Sequence, residues 1–122
     1  MPVAEVDGTL LSWPVGIADV EALTGKAVDV RALTKVAGFF FSGDQDRNDA
    51  VPSRDAWSKS QQALVFRLFG STPVSRWKNA ERLYTLAGVK ARFRLYPGVG
   101  HETTREIDGD VEAFFVEAMK TN

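Results

Sequence analysis

The chain has 122 residues, a formal net charge of −1 and no cysteine. This length corresponds to one domain, and 44% hydrophobic with 25% charged residues is typical of a soluble globular protein. The small net charge, with no stripe of basic residues, argues against a nucleic-acid partner, and the lack of cysteine excludes disulfides, thiolate metal sites and cysteine nucleophiles.

The single histidine argues against a zinc site, which usually draws on several His or Cys ligands. No apolar stretch approaches the ~18–20 residues that span a bilayer, and the N-terminus lacks the basic segment and apolar run of a signal peptide. We therefore expect a cytoplasmic protein with no bound cofactor or metal and no membrane partner.

The first 34 residues are rich in turn-forming glycine and proline and carry only short predicted elements. Asp19 and Asp29 are placed to cap two short helices, Val20 to Thr24 and Val30 to Leu33. A weak strand is predicted around Thr9 to Trp13.

A continuous apolar run, KVAGFFFSG at residues 35–43, is typical of a strand buried on both faces of a parallel sheet. The stretch DQDRNDAVPS that follows has the composition of a loop. A helix is then predicted from Gln61 to Phe69, ending at Gly70.

A second helix is predicted between Pro73, in its first turn, and Gly88, which ends it, with Ser71 or Thr72 as the cap. Its apolar stripe consists of Trp77, Ala80, Tyr84 and Ala87.

Alternation in KARFRLYPG predicts a strand near one edge of the sheet. Arg92, Arg94 and Tyr96 would lie on its wetter face. An amphipathic C-terminal helix follows, with apolar residues at Val111, Phe114, Phe115, Ala118 and Met119.

Residues 35–122 thus follow the order strand, helix, helix, strand, helix, in a single domain that covers residues 1–122. A strand–helix–strand order with a long crossover predicts parallel pairing, so the expected class is α/β, a short parallel sheet with flanking helices. The acidic loop and the loop carrying His101 both leave the carboxyl ends of their strands, where ligands bind in open parallel sheets. We expect these two loops to meet.

His101 lies in RLYPGVGHETT, and the acidic loop offers Asp44, Asp46 and Asp49 as partners. A lone histidine in a polar loop is most often a solvated surface residue. A histidine that acts as a base, by contrast, is commonly oriented by a carboxylate, which fixes its tautomer and stabilises the imidazolium.

The stretch FFFSGDQDRNDAVP, followed farther on by LYPGVGHE, resembles the C-terminal half of an α/β-hydrolase of the serine esterase or peptidase type. In that family the penultimate strand ends in a Gly-x-x-Asp turn that supplies the triad acid, and the last strand ends in a Pro-Gly-rich turn that carries the triad histidine. The resemblance, from about residue 30 onward, implies a partial α/β-hydrolase-like fold. It assigns the acid to Asp46, with Val51 and Pro52 behind it, and the base to His101.

The family's nucleophile motif, Gly-x-Ser-x-Gly, does not occur in this chain. Ser12 is the only serine before the strand of the acidic loop, and it lacks both glycines. The resemblance therefore implies an ester hydrolase module that is catalytically incompetent on its own and is active only if another polypeptide supplies the nucleophile half. The alternative is a non-catalytic, self-assembling interaction module derived from a hydrolase.

We predict that His101 and Asp46 lie within hydrogen-bond reach, with Asp44 and Asp49 facing solvent. A calcium loop is a competing interpretation, since Asp44-x-Asp46-x-Asn48 matches its first three ligand positions. Asp49 stands where that loop needs glycine and Asp55 where it needs glutamate, which argues against calcium. A solvated acidic loop without a site is the remaining alternative.

Core packing is the expected role of most large aromatic side chains, namely Phe39, Phe40, Phe41, Trp77, Phe114 and Phe115. Trp57, just past the acidic loop, is not explained by periodicity, and the resemblance implies that it faces a small ester-type substrate. Arg47 and Arg54 are expected to be solvated.

The apolar run from Val36 to Phe41 has only one confident partner strand, Ala91 to Tyr96. Two parallel strands make a poor sheet alone, and an unpaired apolar edge favours association. We therefore expect either a two-fold homodimer, the commonest closed assembly, or a complementing hydrolase half on this surface.

Overall fold

The computed structural model describes residues 3–53 and 57–120, which form a mixed α/β structure. The elements in chain order are β1 (Glu5–Val6), β2 (Thr9–Leu10), α1 (Val20–Thr24), α2 (Val30–Leu33), β3 (Gly38–Gly43), α3 (Lys59–Phe69), α4 (Pro73–Leu86), β4 (Ala91–Tyr96) and α5 (Arg105–Lys120). In this described part, no helix combines the length and apolar character that crossing a membrane requires.

The main sheet consists of β3 and β4, which pair in parallel as predicted. Gly38 lies opposite Ala91 and Gly43 lies opposite Tyr96, so the two strands end at the same level. The crossover between them contains α3 and α4. This arrangement brings the loops that follow β3 and β4 to one edge of the sheet.

The strand predicted around Thr9 to Trp13 is too long, and it does not belong to the main sheet. Only Thr9 and Leu10 are extended, and they pair antiparallel with β1 in a separate two-stranded hairpin. Asp7 and Gly8 connect its strands with φ angles of 48° and 74°, which is the conformation that two-residue hairpin turns require.

Aromatic side chains pack between the sheet and α4. Phe40 stacks on Phe93 with ring centroids 4.9 Å apart. Tyr84 meets both rings edge-on, and Trp77 contacts Phe93 in the same way. The predicted apolar stripe of α4 therefore does face the sheet.

The opposite face of the sheet is covered by α5, through Ile107, which is buried, and Phe114, which stacks on Phe39. Tyr96, predicted on the wetter face, is almost completely buried, and this part of the prediction is wrong. The reason is that α5 supplies a polar partner inside the contact, because the Tyr96 hydroxyl donates a hydrogen bond to Asp110.

The strand β3 is less buried than its composition suggests. It was predicted to be buried on both faces, but its side chains are only partly covered and 38% of Phe41 is exposed. Phe115 and Met119 of α5 are also exposed. The core roles predicted for Phe41 and Phe115 are therefore wrong, because Ile107 and Phe114 supply the buried contacts of α5.

The predicted strand also begins too early. The backbone N–H groups of Lys35 and Val36 donate to carbonyls of α2, at Ala32 and Leu33. The chain is therefore still turning at Val36, and extended pairing starts at Gly38.

A buried hydrophobic cluster forms between the N-terminal segment and the helices α3 and α4. Its buried members are Val6, Leu11, Val15, Val65, Phe69 and Leu83. The turn-rich N-terminal segment is thus an integral part of the core.

The capping residues predicted for α2 and α4 are confirmed, whereas the one predicted for α1 is wrong. Asp29 accepts from the Ala32 N–H and caps α2, and Thr72 caps α4. Asp19 does not cap α1, because its carboxylate accepts from the Trp13 N–H at 2.7 Å. Helix α3 begins at Lys59, two residues before the predicted start, because Ser58 forms a capping box there.

Candidate active site

The acidic loop, residues 44–53, and the histidine loop, residues 97–104, are joined by hydrogen bonds at the carboxyl ends of β3 and β4. The Asp44 N–H donates to the Tyr96 carbonyl at 3.0 Å, and the Gln45 N–H donates to the Val99 carbonyl at 2.9 Å. The Asp44 carboxylate accepts from the Gly98 N–H at 2.7 Å. The predicted meeting of the two loops is confirmed.

Gly43 makes this close approach possible. A Cβ atom at this position would lie 2.0 Å from the Val99 carbonyl oxygen and 2.7 Å from that of Gly100. Any side chain would therefore push the histidine loop away from the end of β3.

His101 and Asp46 form the predicted contact, with 3.0 Å between the imidazole Nδ1 and the carboxylate Oδ2. The other oxygen of Asp46 accepts from the Asn48 N–H at 2.8 Å. The side chain of Asp46 is 17% exposed, whereas that of His101 is 69% exposed. An oriented carboxylate thus lies behind an imidazole that faces solvent.

The hydrogen bond from His101 lowers the pKa of Asp46 below its ordinary value, and the Asn48 N–H lowers it further. The carboxylate is therefore ionised at neutral pH and can only accept, so Nδ1 of the neutral imidazole carries the proton. The lone pair of Nε2 remains available to take a proton from a third group.

This lowered pKa predicts a pH dependence of folding stability. Because Asp46 is more acidic in the folded chain than its ordinary value of 3.8, its contribution is complete above that value and is lost as the pH falls through the folded pKa. As the pH falls below this ordinary value, the free energy of unfolding should therefore fall more steeply for the unmodified chain than for Asp46→Asn. Urea unfolding across this range measures the difference, and parallel curves would contradict the lowered pKa.

Asp44 and Asp49 were predicted to face solvent, and this prediction is wrong. Asp44 is half-buried against Gly98. Asp49 forms an ion pair with Arg76 at 2.6 Å, in which both side chains are largely buried, and it also accepts from the Val51 N–H. Each carboxylate thus holds a different part of the loop in place.

Arg76 was not identified from the sequence. Besides Asp49 it donates to the Gly70 carbonyl and lies over the Phe66 ring. Asp49 lies in the acidic loop, whereas Phe66 and Gly70 belong to α3 and its C-terminal cap, and no spacing in the sequence links the loop to α4.

The arrangement of the acidic loop bears on the calcium interpretation, because its described carboxylates contact separate partners. Within the described part of the chain, no group of three or more His, Asp or Glu residues could hold a metal ion. Asp55, the last position compared with a calcium loop, lies outside the described residues.

The His101–Asp46 pair opens into a cleft of about 320 Å³, whose other lining residues include Phe41, Ser42, Gly43 and Thr103. Phe41 provides its large apolar wall. Ser42 was not identified as a site residue from the sequence, and its hydroxyl donates to the neighbouring Gly43 carbonyl at 3.3 Å.

Trp57 lines a different cavity, of about 250 Å³, together with Val15, Val65 and Phe69. It packs against the N-terminal core cluster and is not among the residues that line the His101 cleft. Its role toward a substrate stays a prediction. Arg47 is exposed, as expected, and Arg54 lies outside the described residues.

Comparisons with protein-family models, curated proteins and solved structures find no match to this chain.

Proposed function

We propose that this chain is the acid–base module of an α/β-hydrolase of the serine esterase type, acting in the cytoplasm without a cofactor on a small ester-type substrate. One observation carries the proposal. His101 Nδ1 lies 3.0 Å from Asp46 Oδ2, at the carboxyl ends of two adjacent parallel strands.

In the proposed reaction, His101 Nε2 takes the proton of a hydroxyl group while the hydroxyl oxygen attacks the ester carbonyl. The resulting imidazolium then gives this proton to the departing alkoxide, and water resolves the acyl intermediate by the same steps. Asp46 stabilises the imidazolium, and its lowered pKa keeps it ionised throughout.

The attacking hydroxyl comes from another polypeptide in this proposal. The chain contains no Gly-x-Ser-x-Gly motif, and a serine hydroxyl needs both a base and pre-organised oxyanion donors. Ser42, although it lines the cleft, donates to the Gly43 carbonyl.

We therefore expect the purified chain to hydrolyse a short-chain acyl ester no faster than buffer does. Assays of the unmodified chain and of His101→Ala should coincide. Turnover well above buffer that disappears in the variant would show that the chain contains a nucleophile of its own.

The decisive experiment supplies the missing half. The full chain is fused behind the nucleophile half of a serine esterase that has been cut before its own acid strand. Ester hydrolysis by the fusion, absent from each half alone, is the expected result. A fusion with folded circular dichroism and a cooperative unfolding transition but without turnover would refute the proposal.

A second candidate function is that of a self-assembling module without catalysis. It is favoured by the exposure of Phe41 and Val36 beside the outer edge of β3, a surface that a partner would cover.

A further inference from the structure

The backbone of β3 is hydrogen-bonded on one side only. Gly38, Phe40 and Ser42 direct their N–H and C=O groups toward β4, as the bond from the Gly38 N–H to the Lys90 carbonyl shows. Alternate residues of a strand point these groups to opposite sides, so those of Phe39 and Phe41 point away from β4. No strand pairs with that side within residues 3–53 and 57–120.

The two outer edges of the sheet differ in chemistry. Exposed Arg92 and Arg94 flank the edge of β4, where they form ion pairs with Glu117 and Glu106 of α5. Charged side chains of this kind protect an edge strand against association. The edge of β4 is therefore an unsuitable docking surface.

Apolar side chains surround the edge of β3 instead. The ring centroids of Phe41 and Phe39 lie 6.1 Å apart, and the Phe39 ring stacks on that of Phe114. These three aromatic rings form a continuous row from the edge of β3 to α5. Val36, just before the strand, is also exposed. An edge with outward backbone groups and apolar flanks is a template for strand addition.

We propose that β3 pairs antiparallel with β3 of a second copy of this chain, with Phe39 opposite Phe41 of the second copy. The two-fold axis then passes beside Phe40, and the two small sheets join into one of four strands. This inference deepens the self-assembly candidate and does not depend on His101 acting as a base.

Side-chain pairing favours a second copy in this register. Phe39 and Phe41 lie on the α5 face of the sheet. In this register each Phe39 lies beside Phe41 of the other copy, so the two-fold axis generates two equivalent aromatic pairs. Phe40 meets Phe40 of the second copy on the other face. Shifting the register by two residues would leave a single aromatic pair on this face, Phe41–Phe41 or Phe39–Phe39, and would place the remaining ring of each copy opposite Gly43 or Ala37. Cross-strand aromatic pairs stabilise a sheet more than contacts with glycine or alanine do, so the register with two Phe39–Phe41 pairs is favoured.

Charge complementarity supports the antiparallel direction. Lys35 precedes β3, whereas Asp44, Asp46 and Asp49 follow it. Antiparallel pairing brings Lys35 of each copy toward the acidic loop of the other. A parallel arrangement would bring the two acidic loops together, which like-charge repulsion disfavours.

The mass of the unmodified chain in solution tests the assembly. Sedimentation equilibrium at tens of micromolar should give twice the 13.4 kDa of the chain. Phe41→Lys should give the mass of one chain, because it places a charge at the edge. Leu86→Lys is the matched control, since Leu86 is 71% exposed on α4, and it should remain dimeric.

Amide hydrogen exchange tests the edge without any substitution. The amides of Phe39 and Phe41 should exchange more slowly as the protein concentration rises, whereas those of Phe40 and Ser42 should be protected at every concentration. This measurement also decides the matter if Phe41→Lys does not fold.

A mass of one chain would overturn the proposal. A dimer in which the amides of Phe39 and Phe41 exchange rapidly at every concentration would overturn it too, because its interface would lie elsewhere. Neither result affects the esterase fusion, whose outcome depends on His101 and Asp46.

Discussion

Replacing His101 by alanine in the esterase fusion is expected to lower kcat by about 10⁶-fold, because the loss of the base costs a triad nearly as much as the loss of the whole triad. Asp46→Asn should lower kcat by about 10⁴-fold, since the amide no longer holds the imidazole in the productive tautomer or stabilises its charged form. Steady-state kinetics with a short-chain acyl ester measure both effects.

The matched control for these variants is Glu102→Gln. Glu102 is exposed on the same loop as His101 and lines the same cleft, but it has no role in the proposed proton transfer. Its kcat should equal that of the unmodified fusion. Full activity in the His101→Ala fusion would mean that the 3.0 Å contact has no catalytic role.

The second large effect concerns folding. Leu11 is completely buried in the N-terminal core cluster, so Leu11→Ala should lower the free energy of unfolding by about 2–5 kcal/mol through lost burial and the cavity left behind. Urea unfolding followed by circular dichroism measures the loss.

Leu10 provides the control, because it precedes Leu11 in the chain but is 68% exposed. Leu10→Ala should change the free energy of unfolding by about 0.5 kcal/mol or less. Equal losses for the two variants would contradict the packing of the N-terminal segment against α3 and α4.

The His101–Asp46 contact was predictable because it depends on local patterns and one topological rule. Each strand is recognisable from its own residues, and adjacent parallel strands present their carboxyl ends at one edge. The loops that follow them then meet, and the remaining choice was among Asp44, Asp46 and Asp49. The resemblance selected Asp46, and the geometry agrees.

Contacts between distant elements that no topological rule governs were not predictable from residue patterns. Periodicity identifies the apolar face of an element but not the element that covers it. The sequence around Leu11 and Val15 therefore did not indicate that they pack on α3 and α4. The same limit explains Tyr96, whose buried hydroxyl depends on Asp110 of α5, and Asp49, whose partner Arg76 lies on α4.

Burial of β3 was overestimated for a related reason. An apolar sequence specifies what a strand can bury, whereas the fraction that is buried depends on the neighbours that the fold provides. With β4 on one side, Phe41 remains 38% exposed.

The bond between the Asp44 carboxylate and the Gly98 N–H has a thermodynamic consequence for any partner that docks beside His101. Together with the bonds from the backbone N–H groups of Asp44 and Gln45, it orders both loops before a partner arrives. Conformational entropy that a flexible loop would lose on association has already been lost during folding. Docking there therefore carries a smaller entropic penalty and yields tighter binding from the same contact area.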